Sequence, residues 1–61
     1  MPMITGEMWQ GRTIEQKTQL AQGITEEFVK IGVPRDHVHV IFKDNSKDNW
    51  AIGGKMASQL Y

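Results

Sequence analysis

Polar and apolar residues alternate at the start of the chain. Ile4, Gly6 and Met8 interleave with Thr5 and Glu7, and this period of two predicts a strand over Pro2 to Trp9, broken by Gly11. The period then changes. Ile14, Lys17 (through its stem), Leu20, Ala21, Ile24, Phe28 and Ile31 recur at three- and four-residue spacing, the mark of a helix with one apolar stripe. Thr13-Ile14-Glu15-Gln16 has the form of a capping box: a threonine hydroxyl accepts from the N3 amide while the N3 glutamine reaches back to the cap. Glu15 and Lys30 lie near the helix ends that the peptide dipole prefers for their charges. Gly32 is a natural stop, with Pro34 two residues later. Gly23 inside the helix marks either close packing or a solvent-facing position.

Val38 to Lys43 is rich in β-branched and aromatic residues and predicts a second strand. Val38, Val40 and Phe42 share one face, and His39, Ile41 and Lys43 the other. Asn45 to Asn49 is a polar loop. Trp50 to Lys55 carries paired glycines suited to positive φ and predicts a short hairpin or turn, followed by a weakly patterned tail. Two strands joined through a helix pair in parallel with a right-handed crossover. The expected fold class is therefore α+β: one domain over residues 1–61, a β-α-β unit with two parallel strands and one main helix. Its open sheet edges and uncovered sheet face call for at least a dimer.

Length sharpens that expectation. A domain of 61 residues buries only about 60% of the surface of its unfolded chain and is marginal alone. Small scaffolds recruit disulfides, a metal or partner subunits. Cysteine is absent, so disulfides and thiolate metal sites are excluded. That leaves self-association. The 7 basic and 7 acidic residues balance, with no basic stripe of the kind nucleic acid requires. No segment approaches the roughly 20 apolar residues that span a membrane. The N-terminus has neither the cationic start nor the apolar run of a secretory signal, and a cytoplasmic setting fits.

Two features bear chemistry. Initiator methionine is commonly removed ahead of a small residue, and loss of Met1 would leave Pro2 as a free secondary amine. An α-amino group ordinarily titrates at about 7.7–8.0. An apolar pocket or a nearby arginine lowers that value by disfavouring the charged form, and a base poised near neutrality suits proton abstraction. A Met-Pro start is also common where no chemistry occurs. Gly11-Arg12-Thr13 follows the first strand, and an arginine at a helix start can grip a carboxylate in a bidentate fork, or simply be solvated. His37 and His39, two apart and on one strand face, fall short of a metal site, which needs further ligands. Met3, Met8 and Met56 read as packing.

Taken together, Pro2 behind the initiator methionine, Gly11-Arg12-Thr13-Ile14-Glu15-Gln16-Lys17 at the strand–helix junction, and Ile52-Gly53-Gly54 with Ala57-Ser58 resemble the 4-oxalocrotonate tautomerase family, from Pro2 to about Ser58. The resemblance implies a β-α-β fold of the tautomerase type that dimerises and commonly assembles as a trimer of dimers. It implies that Pro2 moves a proton between two carbons of an enol–keto system, without a cofactor or metal. Arg12, from a neighbouring subunit, would bind a substrate carboxylate. Trp9, Trp50 and Ile52 match positions that line the family's apolar pocket, with Trp50 standing for a phenylalanine. Both tryptophans are equally readable as interface anchors.

The sequence departs from the family pattern on the second strand. The best-known members carry a second arginine there, contacting the substrate's carbonyl oxygen and adjacent carboxylate. The matching position is His39, reached through a helix-to-strand connection one residue shorter. A histidine donates a hydrogen bond but offers no fork. Arg35 and Lys43 are the alternatives. The implied activity is ketonisation of 2-hydroxymuconate or a similar unsaturated 2-oxo acid, a promiscuous monocarboxylate (enolpyruvate) tautomerase being the alternative. A hydratase-like relative would need an extra carboxylate that no acidic residue supplies at a matching position. A non-enzymatic oligomeric module that kept the fold is the rival of a different class.

Overall fold

A computed structural model describes residues 2–61. Strand β1 (Met3–Trp9) leads into helix α1 (Ile14–Lys30), a 3₁₀ turn at Arg35–His37, and strand β2 (His39–Asn45). A second 3₁₀ turn at Lys47–Asn49 precedes a hairpin of β3 (Ala51–Ile52) and β4 (Lys55–Met56), and one helical turn, α2 (Ala57–Leu60), closes the chain. β1 and β2 pair in parallel, with Met3 beside His39 at one end and Trp9 beside Asn45 at the other. The α+β reading, a β-α-β unit with two parallel strands and one main helix, holds.

Helix α1 starts as the capping box directs. Thr13 Oγ1 accepts from the Gln16 amide at 3.1 Å, and Gln16 Oε1 accepts from the Thr13 amide at 3.0 Å. It ends in a Schellman closure around Gly32, whose φ of 98° only glycine adopts without strain. The Gly32 amide donates to Val29 O at 3.0 Å and the Val33 amide to Phe28 O at 3.1 Å, satisfying carbonyls the helix leaves open.

The helix covers one sheet face. Ile4, Gly6 and Met8 of β1 and Val40 and Phe42 of β2 are half-buried, while Met3, Thr5, Glu7, His39, Ile41 and Lys43 between them are exposed. Phe42 fills the space above Gly6, 3.6 Å from where a Cβ would stand. Asp44, on the same face, accepts from Lys17 Nζ at 2.6 Å and ties the helix start to the end of β2.

Several expectations need correction. Ile14 and Ile31 belong to the predicted apolar stripe, yet they are 72% and 75% exposed, and Leu20 is also exposed. Three- and four-residue spacing covers an arc wider than one sheet face; the half-buried arc is Lys17, Ala21, Ile24, Thr25, Phe28 and Val29. Of the two readings of Gly23, the solvent-facing one holds, since, its neighbours along the helix aside, nothing in the chain lies within 4 Å of where its Cβ would stand. His37 and His39 do not share a strand face, because His37 lies in the 3₁₀ turn and β2 begins at His39. The second strand also runs on to Asn45, whose side chain donates to Glu7 Oε1 at 2.8 Å across the sheet. The rest of the polar loop is structured: Ser46 Oγ accepts from the Asp48 amide at 3.1 Å. The tail is not patternless either. The Ala57 amide donates to Trp50 O at 2.6 Å and the Tyr61 amide to Ala57 O at 2.9 Å, which seats α2.

One chain does not make a core. Among the described residues, Ala57 alone is buried. The exposed surface is 4694 Å², against roughly 4,000 Å² for a compact protein of this mass. The radius of gyration is 14.6 Å where roughly 10.5 Å is typical, and the molecule is a slab of 42 × 23 × 13 Å.

Replacing the cap tests the local account. Thr13→Ala should lower stability by about 0.5–2 kcal/mol. In urea titrations this appears as a lower midpoint with an unchanged slope; a changed slope would mean the substitution alters more than the helix start.

Candidate functional site

The parallel ladder decides which candidate residues meet. Both strands begin at the same end of the sheet, and Pro2 sits there with His39: the His39 amide donates to Pro2 O at 3.0 Å. Pro2 is half-buried and His39 is exposed, beside Met3 on the sheet face that α1 leaves open.

The other candidates gather at the opposite end. Trp9 closes β1 and meets the Trp50 ring edge-on, with centroids 5.5 Å apart and planes at 71°. Tyr61 lies against Trp9 at 5.3 Å, and Lys47 Nζ stands 5.0 Å above the Trp9 ring, within cation–π range. Trp9 Nε1 is buried in this cluster without a hydrogen-bond partner. Aromatic pairs of this geometry add about 0.5–1.5 kcal/mol beyond burial. Tyr61 and Lys47 went unnoticed in the sequence. The signal for Tyr61 was its place one helical turn after Ala57; Lys47 gave none, because it lay in a stretch read as a solvated loop.

Arg12 belongs to this second end. Gly11 turns the chain at φ 118°, and Arg12 follows with an exposed side chain and, among the described residues, no acidic partner. It borders an open groove along the flank of α1, with Leu20, Gly23 and Ile24. That concavity includes neither Pro2 nor the tryptophans. Ile52 projects from the hairpin and is exposed.

Seven steps along β1 separate Pro2 from Trp9, which at the usual strand rise is ~23 Å. Within one chain, Pro2 and His39 therefore meet each other, and Trp9 meets Trp50. Pro2 and Arg12 do not meet, and the groove beside Arg12 takes in that residue alone of the predicted set.

The cations named as alternatives to the missing second arginine are also located. Arg35 Nη1 is 2.5 Å from Glu26 Oε1, so it is bound to the flank of α1. Lys43 lies on the open sheet face opposite Glu7.

Comparison with known proteins settles the family. The model of the family described as "Tautomerase enzyme" matches residues 2–59. The chain belongs to the tautomerase family. A probable tautomerase of Bacillus cereus is 39% identical over 59 residues, covering 95% of this chain and 97% of that protein. Among solved structures, a 4-oxalocrotonate tautomerase isozyme from Methylibium petroleiphilum is 35% identical, with a TM-score of 0.89 and 97% of each chain covered. A heterohexameric 4-oxalocrotonate tautomerase from Chloroflexus aurantiacus is 27% identical with a TM-score of 0.89 over the full length of both chains. No helix among the described residues is long and apolar enough to cross a membrane.

The Arg35–Glu26 pair makes a test of how the tautomerase commits its cations. Arg35, first by its hydrogen bond and then by its charge, holds the Glu26 carboxyl below the usual carboxylate range. A depressed folded-state value means that the pair's stabilisation is present above the ordinary carboxylate pKa and is lost as pH falls through the folded one. NMR titration of Glu26 should show the depression in the native protein and its disappearance in Arg35→Met. An unchanged Glu26 titration would mean that Arg35 is free in solution.

Proposed function

We propose that the protein is an isomerase, a keto–enol tautomerase acting on 2-hydroxymuconate or a related unsaturated 2-oxo acid, with the amine of Pro2 as general base. Met1, whose loss the mechanism requires, lies outside the described residues. The observation that carries the reading is the separation of Pro2 from Arg12 in a chain that cannot bury its own core. Both deficits are met by the same remedy: copies assembling so that the Pro2 end of one lies against the Arg12 end of another.

The chemistry follows from the groups. Neutral Pro2 takes the proton of the dienol hydroxyl, breaking the O–H bond. The oxygen's electron pair forms the carbonyl, the double bonds shift, and either the near or the far carbon of the conjugated system accepts the proton from Pro2, a 1,3- or a 1,5-transfer respectively, with no net change in atoms. The developing enolate is delocalised, so the reaction needs no electron sink and no cofactor. Arg12 of a neighbouring copy holds a substrate carboxylate in its fork. His39, already hydrogen-bonded through its backbone to Pro2, or a backbone amide, assists the oxygen. Trp9, Trp50 and Ile52 keep water away, which favours the uncharged amine. The assembly is a homo-oligomer, a dimer or a trimer of dimers, in keeping with the hexameric Chloroflexus relative.

Activity is best followed by ultraviolet absorbance as 2-hydroxymuconate ketonises, with intact mass establishing that Met1 is gone. Pro2→Ala should leave assembly intact and lower kcat by about 10²–10⁴-fold, the usual contribution of a positioned base. Arg12→Ala should chiefly raise KM, by about 10- to 100-fold, since a charge-assisted hydrogen bond contributes about 1.5–3 kcal/mol. Co-refolding the two variants should restore part of the rate at substrate concentrations well below the raised KM, because some sites then take Pro2 and Arg12 from intact sources. A mixture no more active there than the average of its components would place the whole site in one copy, and full activity in Pro2→Ala would eliminate the amine-base mechanism.

A further inference from the structure

The cations of this chain differ in how far they are already engaged. Lys17 is bound to Asp44 and Lys30 to Glu27, each at 2.6 Å, and Arg35 to Glu26. Lys47 is held over the Trp9 ring. Lys43 stands across the ladder from Glu7, four residues along β2 from His39, or ~13 Å. Arg12 and Lys55 remain, and every copy in an assembly brings the same inventory.

Lys55 occupies a specific place. It opens β4 directly opposite Ile52, across a turn made by Gly53 at φ 60° and Gly54 at φ 83°. Positive φ at both central residues is the tight hairpin geometry whose twist matches its strands. Residues opposite one another in an antiparallel pair project from the same face, with Cβ atoms about 4.5–5.5 Å apart. Ile52 and Lys55 therefore present one apolar and one cationic side chain side by side. Trp50 to Tyr61 contains no aspartate or glutamate, so no neighbour in the hairpin or tail neutralises the ammonium group.

We propose that Lys55 is a substrate-binding residue that grips the carboxylate of a dicarboxylate substrate farther from its carbonyl oxygen, leaving the adjacent carboxylate to Arg12. The inference rests on the tautomerase reading, in which Ile52 lines the site: whatever touches Ile52 on that face also meets Lys55. An ammonium is a point charge on a flexible stem and not a fork, so it fixes the charge of the distant carboxylate without dictating its plane. Arg12 and Lys55 then hold the two ends of a flat unsaturated diacid, and Ile52 packs against the hydrocarbon between them.

The test compares 2-hydroxymuconate, with two carboxylates, against 2-hydroxy-2,4-pentadienoate, with one. In Lys55→Met, KM for the diacid should rise about tenfold or more while kcat/KM for the monoacid stays within about twofold, and Lys55→Arg should recover most of the diacid affinity. In the unaltered enzyme, added salt should weaken the diacid more steeply than the monoacid, a measurement that needs no variant. Equal losses on both acids, or no loss on either, or equal salt dependence, would overturn the assignment of Lys55 while leaving Pro2-dependent turnover standing. Failure of the unaltered enzyme to turn over either acid would overturn the tautomerase reading and this inference with it.

Discussion

The parallel pairing of β1 with β2 governs everything else in this molecule. Parallel strands start together, so the chain's first residues and the start of β2 share one end of the sheet, and both strands finish at the other. Pro2 and His39 are thereby fixed as neighbours through a backbone hydrogen bond of 3.0 Å. Trp9, Arg12 and Trp50 are fixed as the opposite pole. Such strands need a crossover connection, and α1 supplies it while covering one sheet face.

The uncovered face is the other half of the same constraint. Met3, Thr5 and Glu7 on β1, with His39, Ile41 and Lys43 on β2, all project from it. Met3 and Ile41 remain exposed on this side, as do Ile14, Leu20 and Ile31 on the helix. Scattered exposed apolar residues are ordinary, but two apolar surfaces on a slab only 13 Å deep are not. The aromatic cluster of Trp9, Trp50 and Tyr61 compensates locally, giving the hairpin and tail something to pack against. Even there the indole nitrogen of Trp9 lacks a partner, a group that ordinarily finds one when buried.

The sequence told most about elements governed by short-range rules. The capping box at Thr13, the glycine stop at Gly32 and the alternation in β1 are local signals, and each is present as written. The parallel pairing followed from the order of elements alone. What the pattern overstated was the helix stripe, because hydrophobic spacing shows which residues avoid water without saying which surface receives them. Ile14 and Ile31 satisfy the spacing and still find no cover in one chain. The aromatic cluster was half legible: the two tryptophans were singled out, but Tyr61 joins them through a turn whose sequence has little helical pattern. Family resemblance selected Pro2, Arg12, His39, Trp9, Trp50 and Ile52, which no local rule would have joined. Their distribution over two poles is a property of the ladder.

The ladder also dictates when the chain can fold. Met3 meets His39 and Trp9 meets Asn45, 36 positions apart at both ends, so every contact of the main sheet is distant in sequence. Closing a loop of that size costs about 3 kcal/mol in chain entropy before any strand contact compensates, a cost that α1 reduces by forming early from its own local bonds. The second 3₁₀ turn, the hairpin and α2 come after β2 in the chain and take no part in closing that loop. Until β2 has been added, α1 has only its own local bonds and β1 has no strand to pair with, so the main sheet forms late by necessity.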